Sequence, residues 1–323
     1  MRAHLLGIEG MRVEDIHTLL TNAMTMHEVS ERVIKKVPTL RGRTVINLFM
    51  EPSTRTRTSF ELAGKRLSAD VVNISESASS TKKGESLLDT AITLASMSPD
   101  ILVVRHQASG APHLLARYLS STCVVNAGDG THEHPSQALL DCLTLMRHFG
   151  EIPTGKTVAI VGDVAHSRVA RSNILALSLL GNKVRLVGPP TLVPSDLAHP
   201  RCFGNRVTVH HSLGEGLKGA DVVMCLRLQR ERMTRFFIPS LEEYARHYGV
   251  SEKVLRIHAP EAVVLHPGPM NRGVEIDSDV ADGERSLVTL QVQSGLAMRM
   301  AILVTLAAIR GAGTSESSEG GAI

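Results

Sequence analysis

Short runs of apolar, mostly β-branched residues alternate with helical patterns along the whole chain. This alternation is typical of parallel sheets flanked by helices. The runs are apolar almost without interruption, which predicts strands that are buried on both faces of a sheet. We expect strands at Thr44–Met50, Val71–Ile74, Ile101–Val104, Val124–Asn126, Val158–Val161, Lys183–Val187, Val207–His210, Val222–Met224 and Val263–Leu265.

The pattern divides into two halves near residue 150. A helical repeat over Pro135–Phe149 gives way to a polar segment with Pro153 and Gly155, after which a new strand begins. We therefore predict an α/β domain at residues 1–150 and a second one at residues 151–285. A last helix, residues 286–310, is long enough to pack back on the first domain, and the tail 311–323 has no apolar periodicity, which predicts disorder.

Composition narrows the class of protein. The chain has 323 residues, of which 43% are hydrophobic and 21% charged, as in soluble two-domain proteins. The net charge of +3 offers no basic stripe for nucleic acid. Widely spaced cysteines without a CxxC pair predict reduced core thiols rather than disulfides or a zinc site; they are Cys123, Cys142, Cys202 and Cys225.

Neither end of the chain predicts a membrane protein. The N-terminal segment gains charge where a signal peptide would stay apolar. The apolar run at residues 300–309 is far shorter than the roughly 20 residues that span a bilayer. We therefore expect a cytoplasmic protein with a buried C-terminal helix.

The strongest local signal for chemistry is Ser53-Thr54-Arg55-Thr56-Arg57-Thr58, which lies between a strand and a helical stretch beginning near Ser59. A helix N-terminus presents free N–H groups and the positive end of a dipole. Hydroxyls and a guanidinium added there predict a site for a phosphate dianion. An ordinary helix cap with surface arginines is the alternative.

Other polar residues of the first half follow predicted strands, where open α/β sheets bind ligands. Arg105 comes after the strand that ends at Val104, and His134 and Gln137 open the helix after Gly128-Asp129-Gly130. The His132-x-His134 pair lacks further ligands at metal spacing, so we predict no metal. A polar loop holds Ser79, Lys82 and Lys83, which suits either a solvated connection or closure over an anion.

The second half places arginines at strand ends. The turn Gly162–Asn173 lacks the glycines of a dinucleotide fingerprint, so we interpret Arg168 as a carboxylate clamp and expect no nicotinamide cofactor. Arg227 and Gln229 follow the next such strand, and two arginines are able to hold two carboxylates. The proline-fixed segment at Gly268 and Pro269 offers backbone carbonyls to a substrate NH₂ group, or is simply a rigid turn.

The ordered set STRTR, SSTKKGE, Arg105-His106, HPSQ, GDVAHSRVARS, RLQ and HPGPMNRGVEI resembles the catalytic chains of the aspartate carbamoyltransferase family over residues 5–310. The resemblance implies two α/β domains with an active site in the cleft between them. It also implies a homotrimer that uses no cofactor. Whether regulatory chains or a dihydroorotase join the trimer is left open. Gly268 stands where some relatives have leucine, a change that leaves the backbone carbonyl in place.

The resemblance also assigns roles. It implies that carbamoyl phosphate binds to Ser53, Thr54, Arg55, Thr56, Arg105, His134, Gln137, Gly268 and Pro269, and that L-aspartate binds to Lys83, Arg168, Arg227 and Gln229. Catalysis is assigned to Arg55, Thr56, Lys83, Arg105 and His134, with Ser79 and Lys83 supplied by a neighbouring subunit. An ornithine-type carbamoyltransferase and a non-catalytic structural homologue are the alternatives. An ornithine site needs an acidic partner, and a structural homologue needs neither anion set.

Overall fold

The computed structural model describes residues 3–75, 85–229 and 237–319, with side chains as far as residue 310. The chain divides into two compact units. Unit 1 comprises Met1–Leu143 and Gln293–Ile323, and unit 2 comprises Thr144–Val292. The two boundaries fall within helices, Pro135–Phe149 and Val288–Glu319, so the polar segment at residues 151–156 already lies in unit 2.

Unit 1 contains a four-stranded parallel sheet in the order β2-β1-β3-β4. Its strands are β1 (Thr44–Phe49), β2 (Asp70–Ser75), β3 (Ile101–His106) and β4 (Cys123–Asp129). Its helices are α1 (Val13–Glu31), α2 (Thr54–Arg66), α3 (Leu87–Ala95), α4 (Ala111–Tyr118), most of α5 (Pro135–Phe149) and most of α12 (Val288–Glu319). Because the chain leaves β1 for β2 on one side and returns to β3 on the other, the order reverses between β1 and β3. Ligands of such sheets bind at the carboxyl ends beside that reversal.

Unit 2 contains a five-stranded parallel sheet in the order β7-β6-β5-β8-β9. Its strands are β5 (Thr157–Val161), β6 (Lys183–Val187), β7 (Val207–His210), β8 (Val222–Cys225) and β9 (Val263–Leu265). Its helices are α6 (Arg168–Leu179), α7 (Pro200–Phe203), α8 (Leu213–Leu217), α9 (Leu241–Tyr248), α10 (Glu252–His258) and α11 (Ser278–Ala281). Here the order reverses between β5 and β8. Each predicted strand is present, which confirms the α/β class with two parallel sheets.

Two expectations about burial are wrong. The edge strands β2 and β7 are not buried on both faces, since Val72 is 47% exposed and Thr208 is exposed. Cys202 is an exposed thiol on α7 rather than a core thiol, whereas Cys123, Cys142 and Cys225 are buried.

The C-terminal helix α12 packs into unit 1. The Asn22 amide donates to the hydroxyl of Thr305 at 3.1 Å, and Leu303 and Leu306 are fully buried. By length and composition alone, the part of the helix through Arg310 could cross a bilayer, yet 56% of its most apolar 18-residue window is buried inside the protein. Core helices of soluble proteins have the same character.

Helix α12 extends through Glu319, and residues 320–323 lie outside the described part. Disorder of the tail 311–323 stays a prediction. Extending an existing helix adds a hydrogen bond per residue without a new nucleation cost.

Candidate active site

The STRTR segment is itself the first turn of α2, which begins at Thr54 with Ser53 as its N-cap, five residues earlier than the helical stretch inferred from the sequence. Ser53 makes no capping hydrogen bond with its side chain. Thr54 and Arg55 are exposed, and Thr56 is buried. Because the first turn of a helix leaves its N–H groups unpaired, backbone donors, hydroxyls and a guanidinium share one end of the helix. The first turn contains no acidic residue that would repel an anion.

Arg105 ends up beside this turn because β1 and β3 are neighbours, with Phe49 paired to Arg105 in the sheet. Its guanidinium donates to the Glu51 carboxylate at 2.8 Å and to the Ala127 carbonyl at 3.2 Å. Both partners of the ion pair are mostly buried, with side-chain exposures of 11% and 21%. Glu51 therefore holds Arg105 in place, and an anion that binds Arg105 competes with it. Glu51 was not singled out in the sequence because a carboxylate beside a phosphate site runs against the expected charge.

His134 and Gln137 lie at the start of α5, and both are buried. The Ser136 hydroxyl lies 3.4 Å from Nδ1 of His134. Nε2 of Gln137 donates to the Asp141 carboxylate at 3.0 Å. This bond fixes the carboxamide and leaves Oε1 as the group that can accept a hydrogen bond from a ligand N–H.

Asp141 belongs to a buried polar network that was not predicted from the sequence. Asp141 is fully buried, and so is most of Arg299 on α12, which donates to the Ser59 hydroxyl at 3.0 Å and lies over the ring of Phe60. Burial lowers the pKa of Arg299 to about 10, while the carboxylate of Asp141 opposes that shift. The guanidinium therefore stays charged at neutral pH and compensates Asp141, which in turn orients Gln137. The i, i+4 spacing of Gln137 and Asp141 was the available sequence signal.

We expect Arg299→Met to lower the free energy of unfolding by roughly 3–5 kcal/mol, because it keeps the volume but leaves the buried Asp141 carboxylate uncompensated. Urea denaturation measures this loss. Arg117→Met, at an exposed arginine of α4, is the control and should change stability by less than about 0.5 kcal/mol. Equal stability of the two variants would mean that Arg299 does not balance Asp141.

The loop before α5 is organised by Asp129 rather than by a paired-histidine site. In the described residues, the groups with metal-ligand geometry include His132, together with His113 and Asp129 or with Glu9 and Glu133, but not His134. The Asp129 carboxylate accepts hydrogen bonds from the backbone N–H of Gly110 at 2.7 Å and of Glu133 at 3.1 Å. Its oxygens are thus committed to holding the loop that presents His134.

In unit 2, the turn after β5 carries the predicted carboxylate clamp. Gly162 has φ +126, and a Cβ there would lie 3.0 Å from the Leu226 carbonyl oxygen, so the turn requires glycine. The Ser167 hydroxyl caps α6 by accepting from the Ala170 N–H at 3.1 Å. Arg168 is the first residue of α6 and is only 4% exposed. A buried cation at a helix N-terminus creates a strongly positive position.

Arg227 and Gln229 follow β8, the neighbour of β5 at the reversal of strand order. Arg227 Nη2 donates to Gln229 Oε1 at 3.2 Å. The buried Asp163 connects the two strand ends, because its carboxylate accepts from the Gln229 N–H at 3.1 Å and lies 2.7 Å from His166 Nδ1. Because β5 and β8 are neighbours in the sheet, the turn that contains Arg168 and the segment that contains Arg227 are both linked to the carboxylate of Asp163.

Arg168 and Arg227 are predicted to hold one substrate, and for that substrate we expect Asp163→Asn to lower kcat/KM by about 100-fold. An amide offers only one acceptor oxygen to the donors that Asp163 holds, so the two segments lose their common anchor. Kinetics with each substrate varied in turn should leave the KM of the substrate bound by unit 1 unchanged. Asp196→Asn, at an exposed aspartate of unit 2, is the matched control. Equal losses for both substrates would contradict a local anchoring role.

The segment with Gly268 and Pro269 is fixed by a buried pair, His266 and Glu275. His266 Nδ1 accepts from the Gly268 N–H at 2.8 Å, so Nε2 carries the proton and donates to Glu275 at 3.2 Å. Glu275 also accepts from the Asn271 N–H at 2.6 Å. The backbone carbonyls that the sequence pointed to are thereby held by side chains at both ends of the segment. Ser79 and Lys83 lie outside the described residues.

Comparison with known proteins places both halves of the chain in one family. The carbamoyl-phosphate-binding domain of aspartate/ornithine carbamoyltransferases matches residues 3–147. The aspartate/ornithine-binding domain of the same family matches residues 154–306.

Individual relatives agree with the family match. The aspartate carbamoyltransferase catalytic subunit of Methylorubrum populi is 60% identical over 304 residues, covering 94% of each chain. The aspartate transcarbamoylase of Trypanosoma cruzi, solved with N-(phosphonacetyl)-L-aspartic acid, is 34% identical with a TM-score of 0.83, covering 93% of this chain and 94% of that one. An ornithine carbamoyltransferase from Thermus thermophilus is 28% identical with a TM-score of 0.81, covering 95% and 99%.

Proposed function

The chain belongs to the aspartate/ornithine carbamoyltransferase family, and we propose that it uses the residues described above to transfer the carbamoyl group of carbamoyl phosphate to the amine of L-aspartate. It is a carbamoyltransferase of the aspartate branch, like its relatives at about 60% identity. The products are N-carbamoyl-L-aspartate and phosphate, and the reaction is the committed step of pyrimidine biosynthesis.

L-aspartate is preferred as the second substrate because positively charged side chains lie where the strand order of unit 2 reverses. Arg168 and Arg227 follow adjacent strands, and guanidinium groups bind carboxylates bidentately. Ornithine would need a free carboxylate for its side-chain ammonium group. The carboxylate of this turn, Asp163, already accepts from Gln229 and contacts His166. A dicarboxylate therefore suits the turn better than a cation.

In unit 1 we assign carbamoyl phosphate to the first turn of α2. Its phosphate takes the N–H groups and hydroxyls of Ser53, Thr54 and Thr56 together with the guanidinium of Arg55. Arg105 reaches the same ligand after leaving Glu51. Gln137 Oε1 and the carbonyls of Gly268 and Pro269 accept from the carbamoyl NH₂ group.

The reaction is attack of the neutral amine on the carbamoyl carbon, through a tetrahedral oxyanion, with loss of phosphate. Thr56, Arg105 and His134 donate to the oxyanion, and a donor of this kind is worth about 3–4 kcal/mol of barrier. Arg55 and Lys83 stabilise charge on the leaving phosphate, which accepts the amine proton. Holding two substrates in contact supplies about 7–11 kcal/mol more, so the proposed mechanism requires neither metal nor cofactor.

We further propose a homotrimer in which Ser79 and Lys83 complete the site of the adjacent subunit, and Lys83 also contacts L-aspartate. A cytoplasmic location agrees with the free thiols of Cys123, Cys142 and Cys225.

Calorimetry with N-(phosphonacetyl)-L-aspartate tests the assignment. We expect this compound to bind at least about 100-fold more tightly than phosphate or L-aspartate alone, because it satisfies both anion sets in one molecule. In the enzyme assay, L-aspartate is carbamoylated and ornithine is not. Binding no tighter than that of phosphate, or turnover of ornithine, would overturn the proposal.

A further inference from the structure

A second concentration of positive charge lies in unit 2, in a cavity of about 530 Å³ that the proposed reaction does not use. Its walls carry the cations Lys183, Arg185, Arg206 and Lys218 against a single carboxylate, Glu215. Neutral polar side chains and His210 complete the lining. We call this site the basic pocket.

The basic pocket lies away from the arginines assigned to L-aspartate. Lys183 is the first residue of β6, and Arg206 directly precedes β7. Arg168 and Arg227 instead follow the carboxyl ends of β5 and β8. Because all strands of this sheet are parallel, Lys183 and Arg206 lie at the opposite, amino-terminal edge, and the lining continues along the outer strand β7 as far as His210. A ligand bound there leaves the proposed aspartate site free.

The sheet itself aligns the basic side chains. Lys183 and Arg185 share one face of β6, and Arg185 pairs with Thr208 on the edge strand β7. On the opposite face Val184 and Leu186 are fully buried, as expected for a parallel sheet. Further along the basic face, Val187 is also fully buried. On this face of β6, the cationic residues are therefore confined to the part that lines the basic pocket, Lys183 and Arg185.

The two arginines are held in place but keep donors available. Both hydrogen bonds of Arg185 use Nη1, which donates to the carbonyls of Gly216 at 3.2 Å and Lys218 at 2.6 Å. Arg206 likewise donates through Nη1 to the Gly181 carbonyl at 3.1 Å. Neutral carbonyl partners do not cancel the charges. Burial, followed by repulsion from Arg185, lowers the pKa of His210, which agrees with a positive potential in the pocket.

We propose that the basic pocket binds a polyphosphate chain, either as inorganic polyphosphate or as the phosphates of a nucleoside triphosphate. Four cations against one carboxylate match several adjacent negative charges better than a single phosphate. The volume falls in the range of small-ligand sites. The lining has no phenylalanine, tyrosine or tryptophan on which a base could stack, so recognition rests on the phosphates.

Calorimetry with inorganic tripolyphosphate tests the proposal in enzyme saturated with N-(phosphonacetyl)-L-aspartate, which fills the phosphate site of unit 1. We expect one tripolyphosphate per chain and an affinity that falls with added salt. The double variant Lys183→Gln/Arg206→Gln should weaken binding at least about 10-fold, since each lost charge-assisted hydrogen bond contributes to affinity. Thr208→Glu, which adds a negative charge to the wall and removes no cation, should weaken it similarly.

The control is Lys253→Gln/Arg256→Gln, which removes the same charge from exposed positions of α10 and should leave the affinity unchanged. Loss of binding when the bisubstrate compound is present would place the polyphosphate in the active site and overturn the proposal. If the pocket variant and the control variant weakened tripolyphosphate binding equally, the binding would be nonspecific electrostatic attraction, and the proposal would be overturned as well.

Binding of nucleoside triphosphates tests whether the pocket recognises the phosphates alone. We expect ATP, UTP and tripolyphosphate to bind with affinities within about 3-fold of one another, because the pocket offers no base-specific contact. A preference of more than about 10-fold for one base would overturn recognition through the phosphates alone.

Discussion

Replacing Arg55 by alanine is expected to lower kcat by about 1,000-fold while the protein stays folded. The expected loss is that of a preorganised donor aimed at developing negative charge. Arg55 is exposed at the first turn of α2, so its removal leaves no cavity in the core. Steady-state kinetics measures the effect, and circular dichroism and thermal unfolding check that the fold is kept.

The matched control for this variant is Lys65→Ala, at an exposed cation in the last turn of the same helix. Its ion pair with Glu61 is a surface contact, so we expect near-normal kcat and stability. If Arg55→Ala retained turnover close to that of Lys65→Ala, the assignment of the leaving phosphate to the α2 N-terminus would have to be abandoned.

Mixing two inactive variants is expected to restore activity if subunits share active sites. Lys83→Ala lacks a cation for the leaving phosphate, and His134→Ala lacks a donor to the carbamoyl oxygen, so each homotrimer should lose at least about 100-fold in kcat. In a mixed ring of three, one interface joins an intact Lys83 to an intact His134. Recovered activity in purified mixed trimers should therefore approach, and not exceed, about one third of the wild-type rate.

The readout requires proof of mixing. Native mass spectrometry, with a mass tag on one variant, identifies mixed trimers after dissociation and reassembly. Trimers of Lys83→Ala chains with wild-type chains provide the comparison, because their intact sites are expected in proportion to intact interfaces. Mixed trimers of the two variants without any activity would mean that Lys83 serves its own chain.

Much of the fold was predictable because each strand contributes a short apolar run of its own. The run at Val207–His210 matches the observed β7, and Pro135–Phe149 matches α5. Burial was less predictable, as the exposed Val72 of β2 illustrates. Whether a strand is central or at an edge depends on which strands lie beside it, and this is a property of the sheet.

The residues of the proposed site also differ in how far the sequence predicts them. STRTR and Arg105 stand out in the sequence because hydroxyls and cations directly after apolar strands are expected at ligand sites. The groups that hold such residues do not stand out. Asp141 and Arg299 are 158 positions apart, and their interaction arises only because α5 and α12 belong to the same unit.

By itself the sequence determined the α/β class, the order of the strands along the chain and the family, and it supplied the residues proposed for both substrate sites, because these depend on local periodicity and on short motifs. Only the tertiary structure decided which distant residues meet. It pairs Arg105 with the Glu51 carboxylate, and it lets Asp163 connect the turn of Arg168 to the segment of Gln229. It also places Lys183 and Arg206 in one basic pocket. The physical reason is that ion pairs and hydrogen bonds act over a few ångströms in space, and the pairing of parallel strands sets which distant residues come that close.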